Sequence, residues 1–244
     1  MTKAKHVYNS GIIGNCSYIA HIEKNSNINW LCWPSFDDSF VFGSLLDSKK
    51  GGEFSILPEH GIVQSSQAYI ENTNILTTTI ESTDGSYRIT DFAPRFEQYE
   101  RHYKPLMLIR KLEPLSGHPK VKISCTPTED YGTRALKKSR GSNHIQFEGT
   151  NHQIRLTTNM PVSHFFDDMS YLISKPVYLI LTYDQPFEVP IERTAEEFLA
   201  QTQVYWQKWI KKASIPAYFQ KQVIRSALVL KLHQYEDTGA IIAA

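Results

Sequence analysis

The chain has 244 residues, with 26 Lys and Arg against 25 Asp and Glu, for a formal net charge of +1. So even a balance offers no electrostatic footprint for nucleic acid or for an anionic membrane surface, and neither partner is expected. Three scattered cysteines and nine histidines form no C-x-x-C or H-E-x-x-H pattern, so no metal, no cofactor and no disulfide framework is expected.

The N-terminal stretch "MTKAKHVYNSGIIGNC" lacks the apolar core of a signal peptide. The longest apolar run, "VYLILTY" at 177–183, is far short of a membrane span. A cytoplasmic location is the expectation. At 41% hydrophobic, the composition is that of a globular chain, long enough to bury roughly three quarters of its surface.

Up to about residue 183 the pattern is strand, turn, strand. "SYIAHIE" (17–23) and "INWLCW" (28–33) are joined by the turn-rich "KNSN". "NILTTTIES" (74–82) and "SYRITDF" (86–92) flank Thr83, Asp84 and Gly85, a hairpin signal because Gly tolerates positive φ. In "KVKISCT" (120–126) apolar and polar residues alternate as in a half-buried strand, whereas "VYLILTY" is apolar on both faces and reads as central. About a dozen such strands predict a mainly β protein built on a large antiparallel sandwich. The basic cluster Lys137, Lys138 and Arg140 reads as a solvated loop.

The register changes after the proline-bearing "DQPFEVPIER" (184–193). Thr194 and Glu197 match a capping box, which predicts a helix from there to about Lys212 with Trp206 and Trp209 on one face. A second helix is expected from about Ala217 to His233, with Phe219, Val223, Ile224, Ala227, Leu228 and Leu232 at helical spacing. Its "ALVLKL" end is apolar nearly all round and predicts burial on several sides, against the sandwich, a further domain or a second copy in a homodimer.

The densest chemistry lies in "NINWLCWPSFDDSFVFGSLLD" (27–47). Alternation puts Trp30 and Cys32 on one strand face and Leu31 and Trp33 on the other, and Pro34 ends the strand. Phe42, Leu45 and Leu46 then suggest a short helix starting near Ser39, which Asp37 or Asp38 would cap. Adjacent aspartates in one turn cannot face each other across a reacting bond as an acid–base pair must. They read as turn formers before substrate contacts, and as catalysts last. Trp33 and Phe36 at the strand exit can pack inward, meet a neighbouring domain or stack on a ligand. Glu129–Asp130 and Asp167–Asp168 read as loop acids, and Tyr131–Gly132 as a loop-shaping pair.

Ordered along the chain, Ile13-Gly14-Asn15, Ala20, Ile28-Asn29-Trp30-Leu31-Cys32, Pro34, Phe36-Asp37, Val41-Phe42 and Leu45-Leu46-Asp47 resemble the opening of glycoside hydrolase family 15 proteins of the bacterial glucoamylase and trehalase type. "GGEFSILP" (51–58), "ITDFAP" (89–94), "DYG" (130–132) and the helical segment to "TGAIIAA" follow in that family's order. Ser35 stands where family members usually carry Arg, and Trp33 where a smaller or aliphatic residue is usual.

The resemblance implies a β-sandwich over residues 1–185, a connector and linker helix over 186–216, and the incomplete beginning of an (α/α)6 barrel over 217–244. It implies a glucoamylase-like parent acting on α-glucans by inversion, or alternatively a trehalase-type parent acting on a small glucoside. In either case the acid and base glutamates belong to the barrel, and none of the residues here matches them. This chain alone would then be inactive, with no catalytic residue. Trp33, Phe36, Asp37, Asp38 and Tyr131 are the candidates for the substrate edge or barrel interface, and the missing barrel would pack on the C-terminal helix. A stand-alone carbohydrate-binding or interaction module is the alternative reading.

Overall fold

The computed structural model describes residues 10–167 and 169–242. Two large antiparallel sheets dominate it. The seven-stranded sheet runs in the order Ser10–Gly14, Ile19–Glu23, Ile28–Cys32, Phe54–Pro58, Lys120–Cys125 and Tyr171–Leu172, with Phe40–Phe42 paired beside Ile28–Cys32. The eight-stranded sheet runs Lys137–Arg140, His144–Glu148, Gln153–Thr158, Val177–Tyr183, Met107–Gly117, Gly85–Phe92, Leu76–Ser82 and Gln64–Tyr69. Their facing sides share one apolar core, with Ala20, Ile22 and Leu31 from the first and Ile80, Ile89 and Leu181 from the second.

The period of two along a strand explains the run that is apolar on both faces. Within Val177–Tyr183, Val177, Leu179 and Leu181 point into the sandwich core. Tyr178 and Ile180 point the other way, into a second cluster with Ile109, Phe187 and Ala195. That outer face is covered by helix α1 (Ile191–Lys211), so the strand is central and buried on both sides. The hairpin also forms as its turn chemistry dictates, with Ser82 opposite Gly85 at φ +145°.

Helix α2 (Gln220–His233) and the far half of α1 pack on one end of the sandwich through Cys16, Ile19, Phe96, Trp206, Ile210, Leu228 and Leu232. Two arginines fix this junction. Arg225 lies over the Tyr69 ring at 3.9 Å and donates to the Thr73 carbonyl and to Asn74. Arg95, fully buried, grips Glu236 in the turn beyond α2. Within the sandwich, Arg110 and Asp91 form an ion pair at 2.8 Å that is closed to solvent on both sides.

Several local expectations are corrected. The short helix near Ser39 is absent: Phe40–Phe42 is a strand, and residues 43–51 form a loop closed by the Gly43 N–H on the Gly51 carbonyl at 2.6 Å. The two glycine backbones approach so closely that a Cβ on Gly51 would meet the Gly43 carbonyl carbon at 2.3 Å. Leu46, expected on a buried stripe, is 70% exposed.

The capping box also fails, because α1 starts three residues earlier, after Pro190. Proline's fixed φ suits a helix entrance, and Glu192 and Glu196 in the first two turns are held by Asn159, Lys111 and Tyr178 on the sheet. Glu197 pairs with Arg193 instead of Thr194. In α2, Phe219 precedes the helix with φ +57° and is exposed, as is Leu230, so the helix buries one side only. The basic cluster is not a loop but the edge strand Lys137–Arg140, and Lys138 reaches over the Phe166 ring. Asp167 is an exposed turn residue, and Asp168 lies outside the described residues. Among the described residues, no helix is long and apolar enough to cross a membrane.

Candidate functional site

The Ile28–Cys32 strand delivers Trp33 to one end of the sandwich, where the chain turns through a cis Trp33–Pro34 bond. The indole is a core group and not a surface platform. It is only 3% exposed and is held edge-on between Tyr18 at 5.3 Å and Tyr183 at 6.1 Å. The turn that follows is tied by Ser35. Its N–H donates to the Asp38 carboxylate at 3.1 Å, and its hydroxyl lies 2.6 Å from both Asp37 and Asp38. The two aspartates therefore brace a turn and cap no helix. The Ser35 hydroxyl holds the Asp37 carboxyl below its ordinary range, which makes Asp37 a poor proton donor near neutral pH.

Phe36 points away from this turn. Its ring packs edge-on against Tyr235 at 5.9 Å, beside the cluster around α2.

A second wall rises from the two-stranded ribbon Thr128–Glu129 and Arg134–Ala135. Its tip is tight: Tyr131 has φ +55°, and Gly132, at φ +78°, sits where a Cβ would lie 2.6 Å from the Lys50 carbonyl. Tyr131 is exposed, with its ring edge-on to Phe40 at 5.9 Å and its N–H on the Ser39 hydroxyl at 2.8 Å.

Glu129 turns inward. It accepts the Thr150 N–H at 2.9 Å and the Thr150 hydroxyl at 2.8 Å, and these bonds, with His152 3.9 Å away, hold its carboxyl below the ordinary range. His152 in turn stacks on Tyr183 with centroids 5.1 Å apart and planes 14° from parallel. Burial, reinforced by the charges of Asp184, Asp38 and Glu129, pushes the Tyr183 hydroxyl up to about 12.

These walls enclose a cleft of about 220 Å³ whose lining includes Trp33, Asp38, Glu129, Asn151, His152 and Tyr183. Of the five sequence candidates, Trp33 and Asp38 line it, Tyr131 stands at its rim beside the lining residue Phe40, and Phe36 faces α2. Asp37 braces the turn. His152 and Tyr183 carried no sequence signal, since only the pairing of Gln153–Thr158, which follows His152, with the strand ending at Tyr183 brings them together near residue 33. A separate groove of about 810 Å³ runs between α1 and α2 past Phe96, Tyr205, Lys208, Trp209 and Lys231.

A family model described as "Trehalase-like, N-terminal" matches residues 2–166. The chain belongs to this trehalase-like N-terminal family. The match takes in every cleft segment except the Tyr183 end of its strand.

Relatives extend the similarity into both helices. A trehalase of Thermoplasma volcanium is 29% identical over 96% of this chain and 38% of its own length. A trehalase of Thermoplasma acidophilum is 30% identical over 91% of this chain and 39% of its own. Trehalase 1 of Sulfolobus acidocaldarius is 43% identical over a shorter stretch, 56% of this chain and 22% of its own. The chain thus spans less than two fifths of the length of these curated relatives.

Proposed function

We propose that this trehalase-like N-terminal domain is the non-catalytic platform of an α-glucosidic hydrolase whose substrate is trehalose. The observation that carries this reading is the similarity to proteins named trehalase along 96% of the chain, through α1 and α2. A glucoamylase-like parent of glycoside hydrolase family 15 has no comparable support, so trehalase takes its place as the leading reading.

In this account residues 1–185 form the sandwich, 186–216 the connector, and 217–244 the first part of a helical (α/α)6 catalytic domain. That domain would dock on the side of α2 that the sandwich leaves open, where Leu230 and Phe219 are exposed. The chemistry of the chain agrees with a supporting role. Hydrolysis with inversion needs one carboxyl raised in pKa to act as acid, facing a second across the bond. Glu129 and Asp37 are shifted the opposite way.

Glucose release from trehalose and from maltose by the 244-residue chain tests the claim. No release above the blank is expected, and saturable turnover of either sugar would show that the sandwich carries its own active site.

A further inference from the structure

We propose that the cleft beneath the Trp33–Asp38 turn binds a single neutral pyranose ring, independently of any catalytic domain. The proposal goes beyond the platform reading, because every group it uses lies within the sandwich.

Size comes first. About 220 Å³ is roughly seven times the share of liquid volume taken by one water, which is room for one sugar ring with its hydroxyls. Most specific small-molecule sites combine such a concavity with an apolar wall and a few fixed polar groups. Here the apolar wall is the His152 ring stacked on Tyr183, backed from the core by the buried Trp33 indole.

The polar groups decide the ligand class. Among the described residues, the Tyr183 hydroxyl and the Asn151 amide have no hydrogen-bond partner. Both can donate. The carboxylates of Asp38 and Glu129 only accept, and each keeps capacity beyond the bonds to Ser35 and Thr150, since a carboxylate offers about four acceptor sites. A ligand that donates to the carboxylates and exchanges bonds in either direction with the first pair suits this set. A metal cation does not, because among the described residues Asp38, Glu129 and His152 do not bring their ligand atoms together. An anion would meet the field of Asp38, Glu129 and Asp184 that helps keep Tyr183 protonated. Hydroxyl groups satisfy both demands, because each is at once donor and acceptor.

The site is also held ready. Glu129 is fixed by two bonds from Thr150, and Arg134 donates to the same Thr150 hydroxyl at 3.0 Å while pairing with Asp130 at 3.3 Å. Side chains already fixed lose little entropy when a ligand arrives.

The test is titration of the 15N-labelled 244-residue chain with glucose, trehalose and glucose 6-phosphate, followed by amide and indole NMR shifts. Glucose or trehalose should saturate with a Kd of about 1–10 mM, shifting Thr150, His152 and the Trp33 indole, and glucose 6-phosphate should bind at least about tenfold more weakly. Glucose alone would mark a free monosaccharide as the ligand, whereas equal binding of trehalose would mark the terminal ring of a glucoside. Tyr183→Phe keeps the aromatic stack, and Asn151→Ala lies in an exposed loop, so both should fold normally and weaken binding at least about fivefold. Absence of saturation to about 100 mM, well beyond a millimolar Kd, would overturn the proposal. So would shifts away from the cleft, or affinity unchanged in both variants. Any of these results leaves the platform reading standing, because that reading does not use the cleft.

Discussion

Arg95 and Glu236, 141 residues apart, meet through two charge-assisted hydrogen bonds of 2.8 and 2.7 Å, with the guanidinium closed to solvent and the carboxylate one quarter open. Arg95 also donates to the Asn15 carbonyl and lies 4.8 Å over the Tyr205 ring. One arginine thus ties together the first hairpin, α1 and the turn after α2.

The pair predicts an asymmetry. Glu236→Ala leaves a buried cation without its counter-ion and should cost about 3 kcal/mol. Arg95→Met should cost less, because Glu236 keeps His102 at 3.0 Å, Lys104 at 3.7 Å and partial access to water. Urea denaturation of both variants measures the difference. Equal losses would mean that the pair acts through packing alone.

The same carboxylate sets a pH dependence. Arg95 holds the Glu236 carboxyl down at about 2, against an ordinary glutamate near 4.3. A group whose folded pKa is depressed stabilises fully above its unfolded value, and that contribution is lost as pH falls through the folded one. Stability should therefore drop between about pH 4.5 and pH 2, and Glu236→Gln should flatten that part of the curve. A variant with the wild-type slope would place the acid sensitivity elsewhere.

Inside the sandwich, Arg110 also donates to the Phe54 carbonyl at 2.6 Å and to that of Ser26, so removing Asp91 strands a cation among backbone acceptors. Asp91→Ala should cost about 3–5 kcal/mol, measured by thermal or chemical unfolding. A loss under about 1 kcal/mol would place this pair among those with the weight of a surface salt bridge.

At the turn, Ser35→Ala should let the Asp37 carboxyl rise toward its ordinary value, because the serine hydroxyl is the main cause of its depression. Side-chain carboxyl NMR titration reads this directly. An unshifted Asp37 would mean that its own backbone N–H dominates.

Much of the sandwich was legible because the period of two is a local signal. Lys120–Cys125 alternates strictly, and the Thr83–Asp84–Gly85 turn announces its hairpin. The near-continuous apolar strand Val177–Tyr183 signalled burial on both faces before anything said that α1 supplied the second. Failures came where local and tertiary signals diverge. Phe42, Leu45 and Leu46 fit a helical stripe, but close contact of Gly43 and Gly51 forces a loop there. Thr194 and Glu197 fit a cap, but Pro190 and sheet contacts to Glu192 and Glu196 start the helix earlier. The cleft was only partly legible. Its Trp33 and Asp38 stand out locally, whereas Glu129, His152 and Tyr183 come from segments distant in sequence that only the tertiary fold brings together.

α2 is held by its buried face, packed on the sandwich and on α1. Leu228 and Leu232 are its two fully buried side chains, and its Arg225 anchors on Thr73 and Asn74. Replacing both leucines by Ala should cost about 2–5 kcal/mol each if additive, enough to open this helix locally. Hydrogen exchange should then show lost protection in 220–233 with Val177–Tyr183 still protected. Simultaneous loss in both would mean that helix and sandwich unfold as one unit.

The most direct test of the platform account is a chimera in which this chain replaces the matching 38% of the Thermoplasma volcanium trehalase, assayed for glucose release. The account predicts that the folded chimera hydrolyses trehalose in clear preference to maltooligosaccharides, while the 244-residue chain alone hydrolyses neither. A chimera that folds, with its helical part intact by circular dichroism, yet leaves trehalose untouched would contradict it.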